Sequence, residues 1–270
     1  MKKKYDEAIA KHYQVVAKTW GLSSQSTMED RIIREAETNA ITSFVRNAIS
    51  KAGPGKKRPT VCDVGCGNGF TLGVLAETFP RCTFVGVEKT PELRALARKR
   101  LEKFRNVQVI DGDIRDPGFL GKQKADVLIC QRVLINLMDR QDQTAALDNI
   151  VNAVAAKGCL LFLECFESSL ANLNTARQEF DLNVIPPAHH NLYLSDLSHP
   201  RLDPYRSKAW RMPANFLSTH YFVTRVLHPV IAGTARFKRN SEFVAFLSNA
   251  LAPAIGEYAP LRLCAFRKKS

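Results

Sequence analysis

Asp63-Val64-Gly65-Cys66-Gly67-Asn68-Gly69 sets one carboxylate and three alternating glycines directly behind the apolar pair Val61-Cys62. Glycine takes positive φ at little cost and has no Cβ, so a loop of this kind lays its backbone against a ligand. The spacing differs from Gly-x-Gly-x-x-Gly, which seats a pyrophosphate on a helix N-terminus. A carboxylate beside the loop repels phosphate and attracts a cation. The ligand expected is S-adenosylmethionine, whose α-amino group and sulfonium are positive and which carries no phosphate. Its own carboxylate would meet the free N–H groups of a helix expected from about Thr71 to Phe79. The alternative is a glycine-rich turn with no ligand.

The following stretch supplies further contacts at the spacing of a βαβ unit. Cys82 to Val87 reads as a second buried strand with Glu88 at its end, about 20 positions beyond the glycines, where ribose hydroxyls are held in this architecture. Thr90-Pro91-Glu92 reads as a helix start with cap, N1 proline and first-turn acid. Leu93, Leu96, Ala97 and Leu101 give that helix one apolar stripe. A third strand, Val107 to Ile110, runs into Asp111-Gly112-Asp113-Ile114, where Asp113 would accept from an adenine amino group and Ile114 would cover the ring. The competing readings are a solvated turn for Asp111 and Asp113 and a surface carboxylate for Glu88.

Taken together, residues 63–69, Glu88 and Gly112-Asp113-Ile114 resemble the first three signature regions of the class I S-adenosylmethionine-dependent methyltransferases. The resemblance covers residues 60–166. It implies a Rossmann-like α/β fold with helices on both faces of a seven-stranded, mostly parallel sheet whose last strand is antiparallel. It also implies that Asp63, Gly65, Cys66, Gly67 and Gly69 hold the methionine part, Glu88 the ribose, and Asp113 with Ile114 the adenine, near Gln131.

The elements that must position these residues follow from periodicity. Ala125 to Cys130 is expected as strand four, with Gln131 to Leu137 its exit loop. Ala145 to Val154 repeats apolar residues at helical spacing, ended by Gly158. Cys159 to Phe166 is an apolar run suited to a central parallel strand. Thr219 to Ile231 and Leu261 to Arg267 are expected to complete the sheet, with Ser241 to Leu251 a helix between them. This alternation argues for one doubly wound layer structure.

The chain divides accordingly into a helical N-terminal arm or lid (1–50), a basic linker (51–59), the cofactor core (60–166), a substrate-covering insertion after strand five (167–218) and C-terminal strands (219–270). In the arm, Ile32, Ile33, Ala36, Ala40, Ile41 and Phe44 form an apolar face. Met28, Arg34 and Glu37 are placed to close over the cofactor, Arg34 pairing with a carboxylate; a solvated helix face is the alternative.

With 270 residues and 45% hydrophobic content the chain can bury one substantial core. No apolar stretch approaches the roughly 20 residues of a membrane span, and the start lacks a signal-peptide apolar region, so a cytoplasmic protein is expected. The seven cysteines are an odd number, mostly within expected strands, which argues for reduced thiols. Cys62 and Cys66 have no second pair for a zinc site, so no metal is expected. A homodimer is compatible with the chain.

Two segments follow strands four and five, where ligands of open α/β sheets bind. Arg132-Val133-Leu134-Ile135-Asn136-Leu137 should pass near the reactive methyl. A long connection runs from Glu164 through Asn172, Asn174 and Arg177 to Ile185-Pro186-Pro187-Ala188-His189-His190-Asn191-Leu192-Tyr193. These segments are similar to a bacterial group of the same methyltransferases carrying Arg-x-Leu-Ile-Asn-Leu and Pro-Pro-Trp-His-Asn-Leu-Tyr; here Ala188 and an extra histidine replace the aromatic. A histidine titrates near neutrality, so His189 or His190 is the candidate base, with Tyr193, Asn191, Arg132 and Asn136 orienting the acceptor. The alternative is that these histidines only pack or cap the loop. Strand four is not followed by Asn-Pro-Pro-Tyr or Asp-Pro-Pro-Tyr, and Cys130 has no neighbouring proline, which leaves a hydroxyl, carboxyl or amine on a small molecule or sugar, anionic in one version. The net charge of +13 raises an RNA substrate as a rival. A binding protein that keeps the pocket without transfer is the second rival.

Overall fold

The computed structural model describes residues 2–26, 28–50, 58–233 and 239–270. The expected basic linker lies outside them through residue 57. The elements run α1 (Lys2–Trp20), α2 (Arg31–Ser50), β1 (Thr60–Val64), α3 (Phe70–Thr78), β2 (Thr83–Val87), α4 (Pro91–Leu101), β3 (Val107–Ile110), β4 (Ala125–Gln131), α5 (Arg140–Ala153), β5 (Val154–Cys165), α6 (Glu167–Gln178), β6 (Leu202–Pro204), α7 (Ser218–Phe222), α8 (His228–Ala232), α9 (Glu242–Ala250) and β7 (Leu261–Lys268).

The seven strands order as β3-β2-β1-β4-β5-β7-β6. Strands β1 to β5 pair in parallel, while β7 runs antiparallel to both β5 and β6. Strand order reverses between β1 and β4, and the crevice there lies at the carboxyl ends of the strands. Val127, Leu128, Ile129 and Cys130 of β4 are all buried, as a strand covered on both faces requires. Six of the seven cysteines are buried.

Four expectations are corrected. Residues 219–231 are helical rather than a strand: α7 continues through a π-helical turn, Val223–Leu227, into α8. A helix with buried Thr219, Tyr221, Val223, Val226 and His228 follows the same apolar run that a strand would, because a short run does not distinguish the two periods. The missing strand is β6, three residues within the segment assigned to the insertion. Gly158 does not end a helix; β5 already starts at Val154, and a Cβ on Gly158 would meet the Asp126 carbonyl at 3.0 Å. Helix α5 begins at Arg140 because Asp139 caps it, accepting from the N–H of Gln141 at 2.8 Å and Asp142 at 3.1 Å. Asn172, Asn174 and Arg177 sit on α6 rather than in a loop; Asn174 exchanges hydrogen bonds with the backbone of Ile185, and Arg177 Nε donates to the Asn183 carbonyl at 2.7 Å.

The N-terminal arm is two different helices. On α2, Ile33, Ala40, Ile41, Phe44 and Val45 are wholly buried, so this helix is part of the core. Helix α1 is more exposed and lies over the strand tips, with Ile9, Tyr13, Val16 and Trp20 on the inner side. Among the described residues, no helix is long and apolar enough to cross a membrane.

Candidate active site

A cavity of about 600 Å³ opens at the carboxyl ends of β1, β2, β3 and β4. Its floor is the glycine loop. Gly65, Gly67 and Gly69 all have positive φ, at 66°, 57° and 75°. A Cβ on Gly65 would lie 2.5 Å from Val133 Cγ2, so the close approach of two loops admits no side chain there. The Gly65 and Cys66 N–H groups both donate to the Val87 carbonyl, at 2.8 and 3.1 Å. Glu88 finishes the arrangement: Oε2 accepts from the Gly67 N–H at 2.9 Å and Oε1 from the Thr90 N–H at 2.8 Å. Thr90 stands at the N-cap of α4 but makes no side-chain cap bond.

Asp63 and Glu88 are both buried at this floor. Burial, and then the neighbouring Glu88, push Asp63 up to about 8. Burial also raises Glu88, against the pull of the Thr90 and Gly67 N–H groups. Two buried carboxyls that resist ionisation favour a cationic partner, which would release that cost. Asp113 is different. Burial opposes its ionisation, yet Arg115 at 2.7 Å and Lys89 at 2.9 Å hold it well below the usual carboxylate range.

The other expected residues divide. Asp63, Gly65, Cys66, Gly67, Glu88, Asp113, Ile114, Gln131, Arg34, Arg132, Asn136, His190 and Asn191 line the cavity. Gly69, His189 and Tyr193 are not on its wall. Gly69 is required for helix packing instead, because a Cβ there would fall 3.2 Å from the Ala97 Cα. His189 is exposed beside His190, and the Tyr193 hydroxyl is engaged with the Cys165 thiol. Met28 and Arg34 reach the cavity, whereas Glu37 pairs with Arg132.

The loop after β4 is shaped by a residue that sequence spacing placed only as a loop start. Glu164, wholly buried at the end of β5, accepts from the N–H groups of Val133 (2.9 Å), Leu134 (3.1 Å) and Ile135 (3.3 Å). Burial raises it to about 7 despite these bonds. Arg132 adopts φ 55°, a costly left-handed conformation for a side chain of this size. Its guanidinium is held by Glu37, and its carbonyl accepts from Asn136 Nδ2 at 2.8 Å.

Much of the roof comes from residues not singled out in the sequence. Tyr13 accepts from Asn136 Nδ2 at 2.8 Å. His12 stacks on His190 with ring centroids 4.0 Å apart. Tyr221 and Arg225, from the helical run after residue 217, complete that side, with the Arg225 guanidinium 3.9 Å from the Tyr221 ring centroid. Asp6, Ile9, Tyr13, Val16 and Trp20 recur at three- and four-residue steps, a signal for one covered face of α1. Asn68 Nδ2 donates to the Gly21 and Ser23 carbonyls, both at 2.9 Å, and so ties the turn after α1 to the glycine loop.

Several solved structures share parts of this architecture. NodS, an N-methyltransferase from Bradyrhizobium japonicum WM9 in complex with S-adenosyl-L-homocysteine, is 19% identical over 58% of this chain and 74% of its own, with a TM-score of 0.47. CalS10, an amino pentose methyltransferase from Micromonospora echinaspora with S-adenosylmethionine bound, is 27% identical over 47% of this chain and 49% of its own, at 0.39. DesVI from Streptomyces venezuelae is 23% identical over the same shares, also at 0.39. The chain thus spans about half the length of the latter two. No curated protein gives a significant match. The family described as "Methyltransferase domain" matches residues 56–199, more than half of the chain. With the 3-2-1-4-5-7-6 sheet and the glycine loop at its switch point, the chain belongs to this methyltransferase-domain family, among the class I S-adenosylmethionine-dependent methyltransferases.

Proposed function

We propose that this methyltransferase acts on a hydroxyl, carboxyl or amine of an anionic small molecule or sugar. One observation carries the reading: the cavity has carboxylates at its floor and guanidiniums, from Arg34, Arg132 and Arg225, around its upper part. Its volume falls in the range of small-molecule sites.

In this reading Asp63, Gly65, Cys66 and Gly67 hold the methionine part of the cofactor, Glu88 the ribose, and Asp113, Ile114 and Gln131 the adenine side. A Cβ-free cradle at Gly65 and two reluctant carboxyls suit a cationic adenosine compound. Arg34 takes the cofactor's carboxylate. Bound there, the sulfonium supplies a methyl group already activated toward transfer.

What remains for the protein is placement and proton removal. Arg225 draws the acceptor's negative charge, Arg132, neutralised by Glu37, offers its remaining N–H groups, and Asn136 and Asn191 orient it. The Asn191 Oδ1 is buried without a hydrogen-bond partner, which suits an acceptor donating to it. His190 is the base in this reading rather than His189 or Tyr193, which stand off the wall. Burial, then His12 and His189, lower His190 to about 4, so its ring is neutral and open to a proton at pH 7. Such a weak base makes in-line placement the larger contribution. Helix α1, the turn after it and residues 179–193 act as the lid.

Incubating the protein with methyl-labelled cofactor and fractionated cell extract, then reading products by mass spectrometry, tests the reading. Label in a small anionic product is expected. Cofactor binding without any labelled product would overturn transfer. Label in transfer RNA, with a steep salt dependence of binding, would support the RNA reading that the net charge of +13 favours.

A further inference from the structure

Three imidazoles meet above the cavity from two distant parts of the chain. His12 projects from α1, and His189 with His190 form a turn in the connection between α6 and β6. Their nearest ring nitrogens all lie within 4.8 Å of one another. His12 stacks on His190 at 4.0 Å, His189 meets His190 edge-on at 4.9 Å, and His12 and His189 are 6.1 Å apart, as ring centroids. Among the described residues, no carboxylate or thiol belongs to the group. The His190 Nδ1 is buried and makes no hydrogen bond.

The backbone beneath the pair is fixed. Asn191 N–H donates to the Ala188 carbonyl at 2.8 Å, closing the turn that carries both histidines. Leu192 N–H donates to the Ile135 carbonyl at 2.7 Å, anchoring that turn to the loop after β4. Pro186 and Pro187 restrict the approach further. Three lone-pair donors on one support, with nothing negative among them, suit a cation of the kind that imidazole binds.

We propose that His12, His189 and His190 bind one zinc-type transition-metal dication that staples α1 to the turn at residues 188–191. Imidazole is a preferred ligand for such ions, and three with an open fourth position make a known zinc arrangement. Metal–nitrogen bonds of about 2.0–2.1 Å in a tetrahedron put the nitrogens roughly 3.4 Å apart. Rotation of the His12 ring out of its stack closes the remaining gap. Because His12 and His190 also line the cavity, the ion holds the lid shut at its edge. With the ion bound the His190 ring is a ligand, so the base role assigned to it above belongs to the metal-free protein, and the fourth position is left for water or an anionic group.

The test uses the full chain, stripped with a chelator and titrated calorimetrically with zinc chloride alone, so the result does not depend on methyl transfer. One ion per chain is expected, and cobalt(II) in its place should give the intense visible absorption of a tetrahedral site. His12→Ala and the double variant His189→Ala/His190→Ala should each weaken zinc binding at least about 100-fold. Circular dichroism of each variant under chelator separates lost ligands from lost fold, and His12→Gln replaces His12→Ala if the latter unfolds. Absence of stoichiometric binding, or binding in the His12 variant within threefold of the parent, would overturn the site.

Discussion

The floor and the roof of the cavity are built by different means. The floor comes from residues 63–114 and works through backbone: glycines at positive φ, carbonyls and N–H groups, and two buried carboxyls bound to them. The roof is assembled from side chains of α1, Arg34, the turn at 188–191 and the helical run after residue 217. A backbone floor is rigid and fixed by a short motif. A side-chain roof depends on long-range packing.

The largest expected effect lies at the seam between them. Glu37 is wholly buried and pairs with the half-buried Arg132, so Glu37→Ala leaves a guanidinium uncompensated and should cost about 3–5 kcal/mol in urea unfolding. Replacing both partners by methionine should recover most of that loss. If the single variant is as stable as the parent, floor and roof are not joined there. Next comes Gly65→Ala, which combines a left-handed φ with a Cβ 2.5 Å from Val133. It should weaken cofactor binding by about 30–100-fold in calorimetry, since the φ cost alone is roughly 1–2 kcal/mol.

A pH titration sharpens the electrostatic half of the contrast. Asp63 is raised from 3.8 to about 8 on folding, so its contribution to stability is full below about pH 4 and is lost as pH climbs toward 8. A cation bound beside it favours the ionised form. Cofactor affinity should therefore rise about tenfold between pH 6.5 and 8, with proton release on binding, and Asp63→Asn should flatten the profile. The smallest effect belongs to the roof. Tyr13→Phe removes the 2.8 Å bond to Asn136, worth about 1 kcal/mol, and should raise the acceptor KM roughly fivefold while leaving cofactor affinity unchanged. An equal loss of cofactor affinity would erase the distinction between the two halves.

The same division explains what was legible in the sequence. Residues 60–114 could be read because each loop follows its own strand, so local spacing carries the positions of Gly65, Glu88 and Asp113. The wrong assignments fell where tertiary packing decides. Residues 219–231 have an apolar pattern short enough for strand or helix. Gly69 follows the motif but serves the α3 and α4 contact. His12 and Tyr13 had no local mark beyond the face of α1, and only the fold brings them to His190 and Asn136. Glu164 was read as the start of a connection, because nothing local shows a carboxylate turned back onto three N–H groups.

One side-chain amide pins the arm to the glycine loop. Asn68 grips the carbonyls of Gly21 and Ser23 from inside the glycine loop, and Arg100 holds the Asn68 carbonyl at 2.9 Å from the other side. Lifting the turn after α1 breaks two hydrogen bonds worth on the order of 1 kcal/mol each. Helix α1 therefore cannot swing away from the glycine loop without giving up both bonds, which makes this one residue the hinge pin between the two halves.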